Sequence, residues 1–194
     1  VLFAGLNEPG VGGASPFAQG KMLEPASKEF VDRLLAFEQI FIDAVRATGG
    51  RNAKRVLIVQ APKTEIDLAF SDSFDLSTLK DTAKNRLMAE VHFYDPYPFT
   101  QMMDDADWGK VSLYWKGHAP ADDKGRTTNT IWYNNQNWDA DEYVEMMMNK
   151  MKNKFVSKGV PVVVGEYGAN RKDAAKYGGD QAKHDESMQA WYRA

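Results

Sequence analysis

"VPVVVGEYGA" (residues 160–169) contains the pattern that decides the fold. Its apolar residues follow one another without alternation, which is typical of a strand buried on both faces in a parallel sheet. Two further runs, "VLFAGL" (1–6) and "RVLIVQ" (55–60), have the same character, and the more mixed "MAEVHFY" (88–94) makes a fourth. We therefore predict four strands of a parallel sheet.

Helical periodicity lies between these strands. Residues 27–50 repeat apolar side chains every three or four positions before a glycine pair, which predicts an amphipathic helix. A second helix is predicted from a cap at Asp139 to Gly159, a weaker one within 76–87, and a last one from about residue 181. Alternating strands and helices imply right-handed crossovers, so the predicted fold class is α/β.

The segment 97–138 does not share this alternation. It has no sustained period, and a loop of that length inside a compact domain is usually functional. No internal repeat or linker divides the chain, so we expect a single domain. The segment is rich in aromatic side chains, namely Trp108, Tyr114, Trp115, Trp132, Tyr133 and Trp138.

Composition excludes several classes of function. A net charge of -3 gives no basic field to attract phosphate backbones, so nucleic acid is not an expected partner. No apolar run reaches the roughly 18 residues that a membrane span requires, and the first residues do not have the charged, apolar and small-residue pattern expected of a leader peptide. The absence of cysteine excludes disulfides and thiolate metal sites.

Two of the predicted strands end in a glutamate. "FAGLNEPG" (3–10) places Glu8 after the first strand, and Glu166 follows the last. Catalytic residues of parallel α/β folds collect at the carboxyl ends of the strands, and two facing carboxylates are the arrangement used for glycoside hydrolysis. The alternative interpretation is that each glutamate caps the next helix or pairs with an arginine. Two such glutamates together favour the catalytic interpretation.

A histidine and a tyrosine occur where the third strand along the chain, at residues 88–94, ends. His92 and Tyr94 are two residues apart and therefore lie on the same side of that strand, where they could hold sugar hydroxyls or orient a carboxylate. His118 and His184 have no partner at metal-ligand spacing. We expect neither a metal nor another cofactor. No GxSxG motif or placed nucleophilic serine or cysteine supports an acyl-transfer hydrolase.

Two tryptophans of the long segment have two open interpretations. Trp108 and Trp115 stand among glycine and charged residues, so their rings are candidates for stacking on pyranose sugars. They could equally attach the long segment to the rest of the fold. The residues alone do not separate these two interpretations.

The strand ends resemble a known family. "LNEP", "VHFYDPY" and "VVVGEYGA" are similar to strands four, six and seven of glycoside hydrolase family 5. The resemblance implies a (β/α)8 TIM barrel, with this chain covering about the fourth to seventh βα units as a partial barrel. Residues 1–194 would then be the C-terminal part of a single glycoside hydrolase catalytic domain, without strands one to three and eight.

The resemblance also implies roles for individual residues. Glu8 would be the general acid/base and Glu166 the nucleophile of a retaining enzyme. Asn7 would hold the sugar 2-hydroxyl, His92 would contact substrate, and Tyr94 would hydrogen-bond the nucleophile.

The implied function is endo-acting, retaining hydrolysis of β-1,4-glucan, either cellulose or a related β-glucan such as xyloglucan. The resemblance further implies a bacterial protein that is secreted, periplasmic or on the cell surface. An incomplete barrel would expose sheet edges, so we expect a complementary barrel fragment, self-association, or a longer polypeptide of which these residues are one part. One alternative stays open, a catalytically incomplete remnant that only binds carbohydrate. A barrel hydrolase of other chemistry, such as an amidase, predicts a metal or a serine or cysteine nucleophile, and the sequence offers neither.

Overall fold

The computed structural model describes residues 1–10 and 27–194. They form two compact units, the first made of residues 1–10, 27–93 and 149–166 and the second of 94–148 and 167–194. The helices and strands are, in chain order, β1 (Phe3–Ala4), α1 (Lys28–Ala47), β2 (Leu57–Glu65), β3 (Leu87–Phe93), α2 (Tyr97–Thr100), β4 (Tyr114–Trp115), β5 (Thr127–Thr128), β6 (Thr130–Tyr133), β7 (Gln136–Asp139), α3 (Ala140–Lys154), β8 (Val162–Tyr167) and α4 (Gln181–Trp191).

A four-stranded sheet in the order β1-β2-β3-β8 organises the first unit. β1 pairs in parallel with β2, and β2 in parallel with β3, so the four predicted strands are confirmed. Complete burial is confirmed only for the central part, where Leu57, Val59 and Val91 are inaccessible. β1 is only two residues long and exposed, and β8 is only half-buried, because these two strands form the edges of the described sheet.

Helix α1 matches its prediction closely. Ser27 caps its first turn, with the side-chain oxygen accepting a hydrogen bond from the Phe30 N–H at 3.2 Å. Phe37 is one of the apolar side chains within residues 27–50, yet 63% of its surface is exposed. The buried face of the helix consists instead of Val31, Leu34, Leu35, Glu38 and Ile42.

The weak helix predicted within residues 76–87 is wrong. Only Leu76–Thr78 forms a single 3-10 turn, and the chain beyond it is irregular. Asp81 makes two hydrogen bonds of 2.7 Å with the Arg46 guanidinium of α1, and both side chains are almost fully buried. This ion pair fixes the segment against the end of α1, and such tertiary contacts override a weak local helix preference.

Short strands replace the predicted long loop in the second unit. β6 and β7 form an antiparallel hairpin, and its two turn residues, Asn134 and Asn135, have φ angles of 51° and 63°. A two-residue turn with both φ angles positive fits the twist of a hairpin, and asparagine tolerates this conformation. Strands this short leave no periodic pattern for sequence reasoning to detect. β4 and β5 form a second small sheet.

The other two predicted helices are confirmed. The Asp139 side chain accepts a hydrogen bond from the Asp141 N–H at 3.1 Å at the start of α3. Asp180 caps α4 in the same way, through the Lys183 N–H. Among residues 1–10 and 27–194, no helix combines the length and the apolar character that crossing a bilayer demands.

Candidate active site

A bulge at the carboxyl end of β2 anchors the segment that carries Glu8. The register of β2 against β3 shifts beyond Gln60, and Lys63 and Thr64 there have φ angles of 51° and 53°. The Lys63 N–H donates to the Pro9 carbonyl at 2.6 Å, and the Glu8 N–H donates to the Thr64 hydroxyl at 3.1 Å. The bulge therefore substitutes for a longer β1 in fixing the backbone on both sides of Glu8.

Glu8 itself has a left-handed backbone, with a φ angle of 44°. Residues other than glycine rarely adopt this conformation, and it occurs most often where a functional side chain must be aimed. Half of the Glu8 side chain is exposed. Asn7 is exposed beside it, and its predicted contact with a sugar hydroxyl stays a prediction.

Three side chains from three strand ends meet in the first unit. The Nδ1 atom of His92 on β3 lies 2.9 Å from Oε1 of Glu8 and 3.6 Å from Oε2 of Glu166 on β8. One oxygen of each carboxylate and the imidazole nitrogen lie within 4.8 Å of one another. The sheet thus brings both predicted glutamates together, as parallel strand ends should.

The accessibility of these side chains differs sharply. The two carboxylates are 50% and 42% exposed, whereas His92 is only 2% exposed. The resemblance implied that His92 contacts substrate, and this role does not fit so buried a ring. Its Nδ1 instead faces the carboxylates of Glu8 and Glu166.

Sequence reasoning missed a second group of polar side chains behind His92. Glu90 precedes His92 by two residues on β3, and its Oε1 lies 3.7 Å from the His92 Nε2. The other Glu90 oxygen accepts a hydrogen bond of 2.8 Å from the Gln60 side chain. The same strand alternation that grouped His92 with Tyr94 would have placed Glu90 on that side as well.

Glu38 of α1 lies next to this group. It is completely buried, and its Oε1 accepts a hydrogen bond of 3.0 Å from the backbone N–H of Gln60. Burial raises the pKa of the Glu38 carboxyl to about 7, with a smaller contribution from nearby Glu90. Because β1 is so short, a carboxylate from α1 satisfies this strand donor.

The aromatic candidates and Tyr94 belong to the second unit. Trp115 is 1% exposed, and its indole N–H donates to Asp141 at 2.8 Å. The prediction that it offers a face to sugar is therefore wrong, because the ring is enclosed in the core. Trp108 is half-buried against Tyr97, with ring centroids 6.2 Å apart, and its sugar-stacking role stays a prediction, as does the Tyr94 hydrogen bond to Glu166.

His184, outside the cluster, is occupied by two hydrogen bonds. His184 is fully buried and bonds to the Lys172 N–H and the Leu113 carbonyl. The ligand atoms of Glu8, His92 and Glu166, by contrast, lie close enough to hold one cation. Sequence spacing could not indicate that grouping, since the three residues are distant along the chain.

Comparison with known proteins adds a family and several relatives. The family model described as Cellulase (glycosyl hydrolase family 5) matches residues 1–194. The xyloglucan-specific endo-β-1,4-glucanase of Bacteroides ovatus is 32% identical over 176 residues, which are 89% of this chain and 30% of that protein. Endoglucanase A of Ruminococcus albus is 31% identical over 176 residues, 89% of this chain and 38% of its own length.

Solved structures agree with these relatives. A Bacteroides ovatus GH5 xyloglucanase in complex with a heptasaccharide superposes with a TM-score of 0.71 at 30% identity, over 98% of this chain and 36% of that one. A GH5 lichenase from Caldicellulosiruptor in complex with cellotetraose gives a TM-score of 0.69 at 28% identity, over 98% of this chain and 44% of that one. The chain thus spans between about a third and a half of each of these proteins, and its sheet corresponds to part of their fold.

Proposed function

The chain belongs to glycosyl hydrolase family 5, and on that basis we propose that it carries the two catalytic glutamates of a retaining, endo-acting β-1,4-glucanase. The observation that carries this proposal is the approach of Glu8 and Glu166 to within 4.8 Å, measured between carboxylate oxygens. Retaining glycosidases hold their carboxyl groups about 5–5.5 Å apart, whereas inverting enzymes need roughly 6.5–9.5 Å to admit a water molecule.

The reaction proceeds in two displacements. A carboxylate oxygen of Glu166 attacks the anomeric carbon while protonated Glu8 donates its proton to the departing glycosidic oxygen, which leaves as an alcohol. The product is a glycosyl ester on Glu166. Glu8, now ionised, takes a proton from water as that water attacks the same carbon, and Glu166 is released as a carboxylate.

Neighbouring groups support these two roles. His92 holds Glu8 through its 2.9 Å hydrogen bond and lies 3.6 Å from Glu166, which limits the rotation of both carboxylates. We assign Asn7 to the sugar 2-hydroxyl and Tyr94 to the nucleophile, following the family resemblance. Trp108 keeps its proposed role in stacking on a sugar ring.

The proposed substrate is a β-glucan with a β-1,4-linked backbone, such as cellulose or xyloglucan. Relatives named for xyloglucan and a neighbour bound to cellotetraose support this class. A polymer of this kind does not cross a membrane, which favours action outside the cell or at its surface.

The domain assignment is also proposed. Residues 1–194 would supply about the fourth to seventh βα units of one catalytic barrel, as its C-terminal part. The expected complementary fragment has no support, because each relative carries the matching region within one longer chain. Self-association stays untested.

Replacing the two glutamates tests the mechanism. In the full-length protein, Glu166→Gln should lower kcat on carboxymethylcellulose by at least about 10³-fold, because the amide cannot form the glycosyl ester. Glu8→Ala should lose most activity on the polymer yet hydrolyse an aryl glucoside with a good leaving group, which needs little protonation. Reducing-sugar release and aryl-alcohol absorbance measure both reactions.

Glu145→Gln, on the exposed side of α3, is the matched control and should retain wild-type kcat. The anomeric configuration of the first product, followed by proton NMR, should be β. An α product, or unchanged kcat in Glu166→Gln, would contradict the proposal. A carbohydrate-binding remnant would be retarded in a glucan gel without lowering the viscosity of carboxymethylcellulose.

A further inference from the structure

Glu90 occupies a position that the proposed mechanism does not use. It lies on the same side of β3 as His92, and 13% of its side chain is exposed. Its Oε1 faces the His92 Nε2 at 3.7 Å, on the opposite side of the ring from the nitrogen that bonds Glu8. The imidazole is therefore flanked by carboxylates at both of its nitrogens.

Two neighbouring strands hold the Glu90 carboxylate in this place. On β2, the nearly inaccessible Gln60 donates a hydrogen bond of 2.8 Å to Oε2. On β8, Gly165 leaves the space that the other oxygen fills, since a methyl group there would lie 1.8 Å from Oε1. Gly165, the first glycine of "VVVGEYGA", is therefore required here because any larger side chain would displace Glu90.

We propose that Glu90 is a positioning residue, whose carboxylate fixes the His92 ring so that Nδ1 faces Glu8 and Glu166. The inference rests on the proposed retaining mechanism. The two nitrogens of an imidazole are distinct, and the partner of one nitrogen sets the orientation and protonation of the other. With Nε2–H directed at Glu90, a neutral ring presents Nδ1 as a fixed acceptor for the proton of Glu8, the acid of the catalytic pair.

Glu90→Gln is the informative variant. The amide keeps the volume of the side chain and an oxygen for the Gln60 hydrogen bond, but it removes the negative charge opposite Nε2. We expect kcat on β-glucan to fall about 10-fold or more while KM changes less than twofold, because the proposal has Glu90 act through His92 and not on the substrate. Glu90→Asp, which keeps the charge, should recover part of that loss.

A spectroscopic measurement separates positioning from a structural role. Nitrogen-15 NMR of the His92 ring, assigned by its loss in His92→Gln, should show a changed Nε2 resonance in Glu90→Gln. Glu145→Gln should leave both the spectrum and kcat unchanged.

Displacing the Glu90 carboxylate, instead of neutralising it, tests the same proposal. Gly165→Ala leaves the charge of Glu90 but forces it away from His92, so kcat should fall by a similar factor. The double variant Gly165→Ala/Glu90→Gln should fall no further than either single variant, because residues acting through one contact are not additive.

The outcomes distinguish this inference from the function on which it depends. Wild-type protein that hydrolyses β-glucan with retention, together with Glu90→Gln within twofold of its kcat and an unchanged His92 spectrum, would overturn the role of Glu90 alone. Wild-type protein without hydrolytic activity would overturn the proposed function instead. If Glu90→Gln does not fold, the comparison of Gly165→Ala with Glu90→Asp decides in the same way.

Discussion

Glu38 is a buried carboxylate on the apolar face of α1 that both costs desolvation free energy and makes a needed hydrogen bond. It stands on the buried face of α1, where the periodicity predicts an apolar side chain, and it is completely inaccessible. A buried carboxylate loses hydration that one hydrogen bond does not replace. The Glu38 carboxylate accepts a hydrogen bond from the Gln60 N–H of β2. Removing the carboxylate would therefore leave this buried strand N–H without its acceptor.

The raised pKa of Glu38 predicts a pH dependence of stability. The pKa is about 7 in the folded protein against an ordinary value of 4.5, so between these values the folded state binds more protons than the unfolded state. The free energy of unfolding should therefore decrease as pH rises through this window, by about 2–3 kcal/mol between pH 5 and pH 8. Glu38→Gln should lose this contribution.

Urea titrations of wild type and Glu38→Gln at pH 5 and pH 8 measure the effect. From pH 5 to pH 8, the free energy of unfolding of Glu38→Gln should rise by about 2 kcal/mol relative to that of wild type. The exposed variant Glu145→Gln should show no such relative change. Parallel curves for wild type and Glu38→Gln would show that Glu38 remains ionised at both pH values.

Single residues were predictable where local sequence carries the information. Glu8 and Glu166 directly follow apolar runs, so strand ends and motif both indicated them. Strand alternation indicates that Glu90 shares a side of β3 with His92, but the bonds that join Glu38, Gln60 and Glu90 connect residues 22 and 30 apart, which no local pattern encodes. The two interpretations of Trp115 could not be separated, because polar neighbours in sequence do not reveal that a ring is enclosed by distant residues.

Among the elements, α4 shows how a weakly amphipathic helix is fixed by polar contacts. Its buried His184 accepts a hydrogen bond of 2.9 Å from the Lys172 N–H through Nε2 and donates from Nδ1 to the Leu113 carbonyl at 2.7 Å. Burial also lowers the pKa of His184, which keeps the ring neutral for both bonds. One side chain thus joins α4 to two other segments of the second unit.

His184→Leu should destabilise the protein by about 2–4 kcal/mol, because it leaves a buried N–H and a buried carbonyl without partners. Urea unfolding at pH 8, where histidine is neutral in both states, measures this loss without a contribution from protonation. His118→Leu is the matched control, since that half-buried side chain makes no such pair of hydrogen bonds with the residues that the structure describes. Its effect should stay within about 0.5 kcal/mol. Equal stability of the two variants would contradict the assigned role of His184.

Element prediction succeeded where a helix has a cap and a stripe, as in α1, α3 and α4. It failed within 76–87, where the Arg46–Asp81 ion pair decides the path of the chain. It also missed the β6-β7 hairpin, although "NN" at 134–135 was a turn signal in the sequence.

The charge of the whole chain bears on its choice of polymer. The net charge is -3, and the candidate active site gathers Glu8, Glu90 and Glu166 around one imidazole. An anionic polymer approaching these carboxylates is repelled, whereas an uncharged glucan is not. Repulsion between accessible charges is screened by salt, since the Debye length shortens from about 30 Å at 0.01 M to about 8 Å at 0.15 M.

We therefore expect kcat/KM on carboxymethylcellulose to rise about threefold between 0.01 M and 0.15 M NaCl. On uncharged hydroxyethylcellulose the value should change less than 1.5-fold over about the same range. Initial rates of reducing-sugar release measure both. Equal salt responses of the two polymers would show that the acidic groups do not act on the approaching substrate.

At the left-handed backbone of Glu8, stability and activity favour different residues: glycine is the more stable residue there, whereas the proposed catalysis requires glutamate. At a φ angle of 44°, glycine is favoured over any other residue by about 1–2 kcal/mol. In a homologue without selection for polysaccharide hydrolysis, substitution of this residue by glycine would therefore be expected, because it stabilises the fold. A glutamate at this position therefore indicates that selection has maintained catalytic activity. Glycine at the same position in a homologous chain would indicate that this activity has been lost.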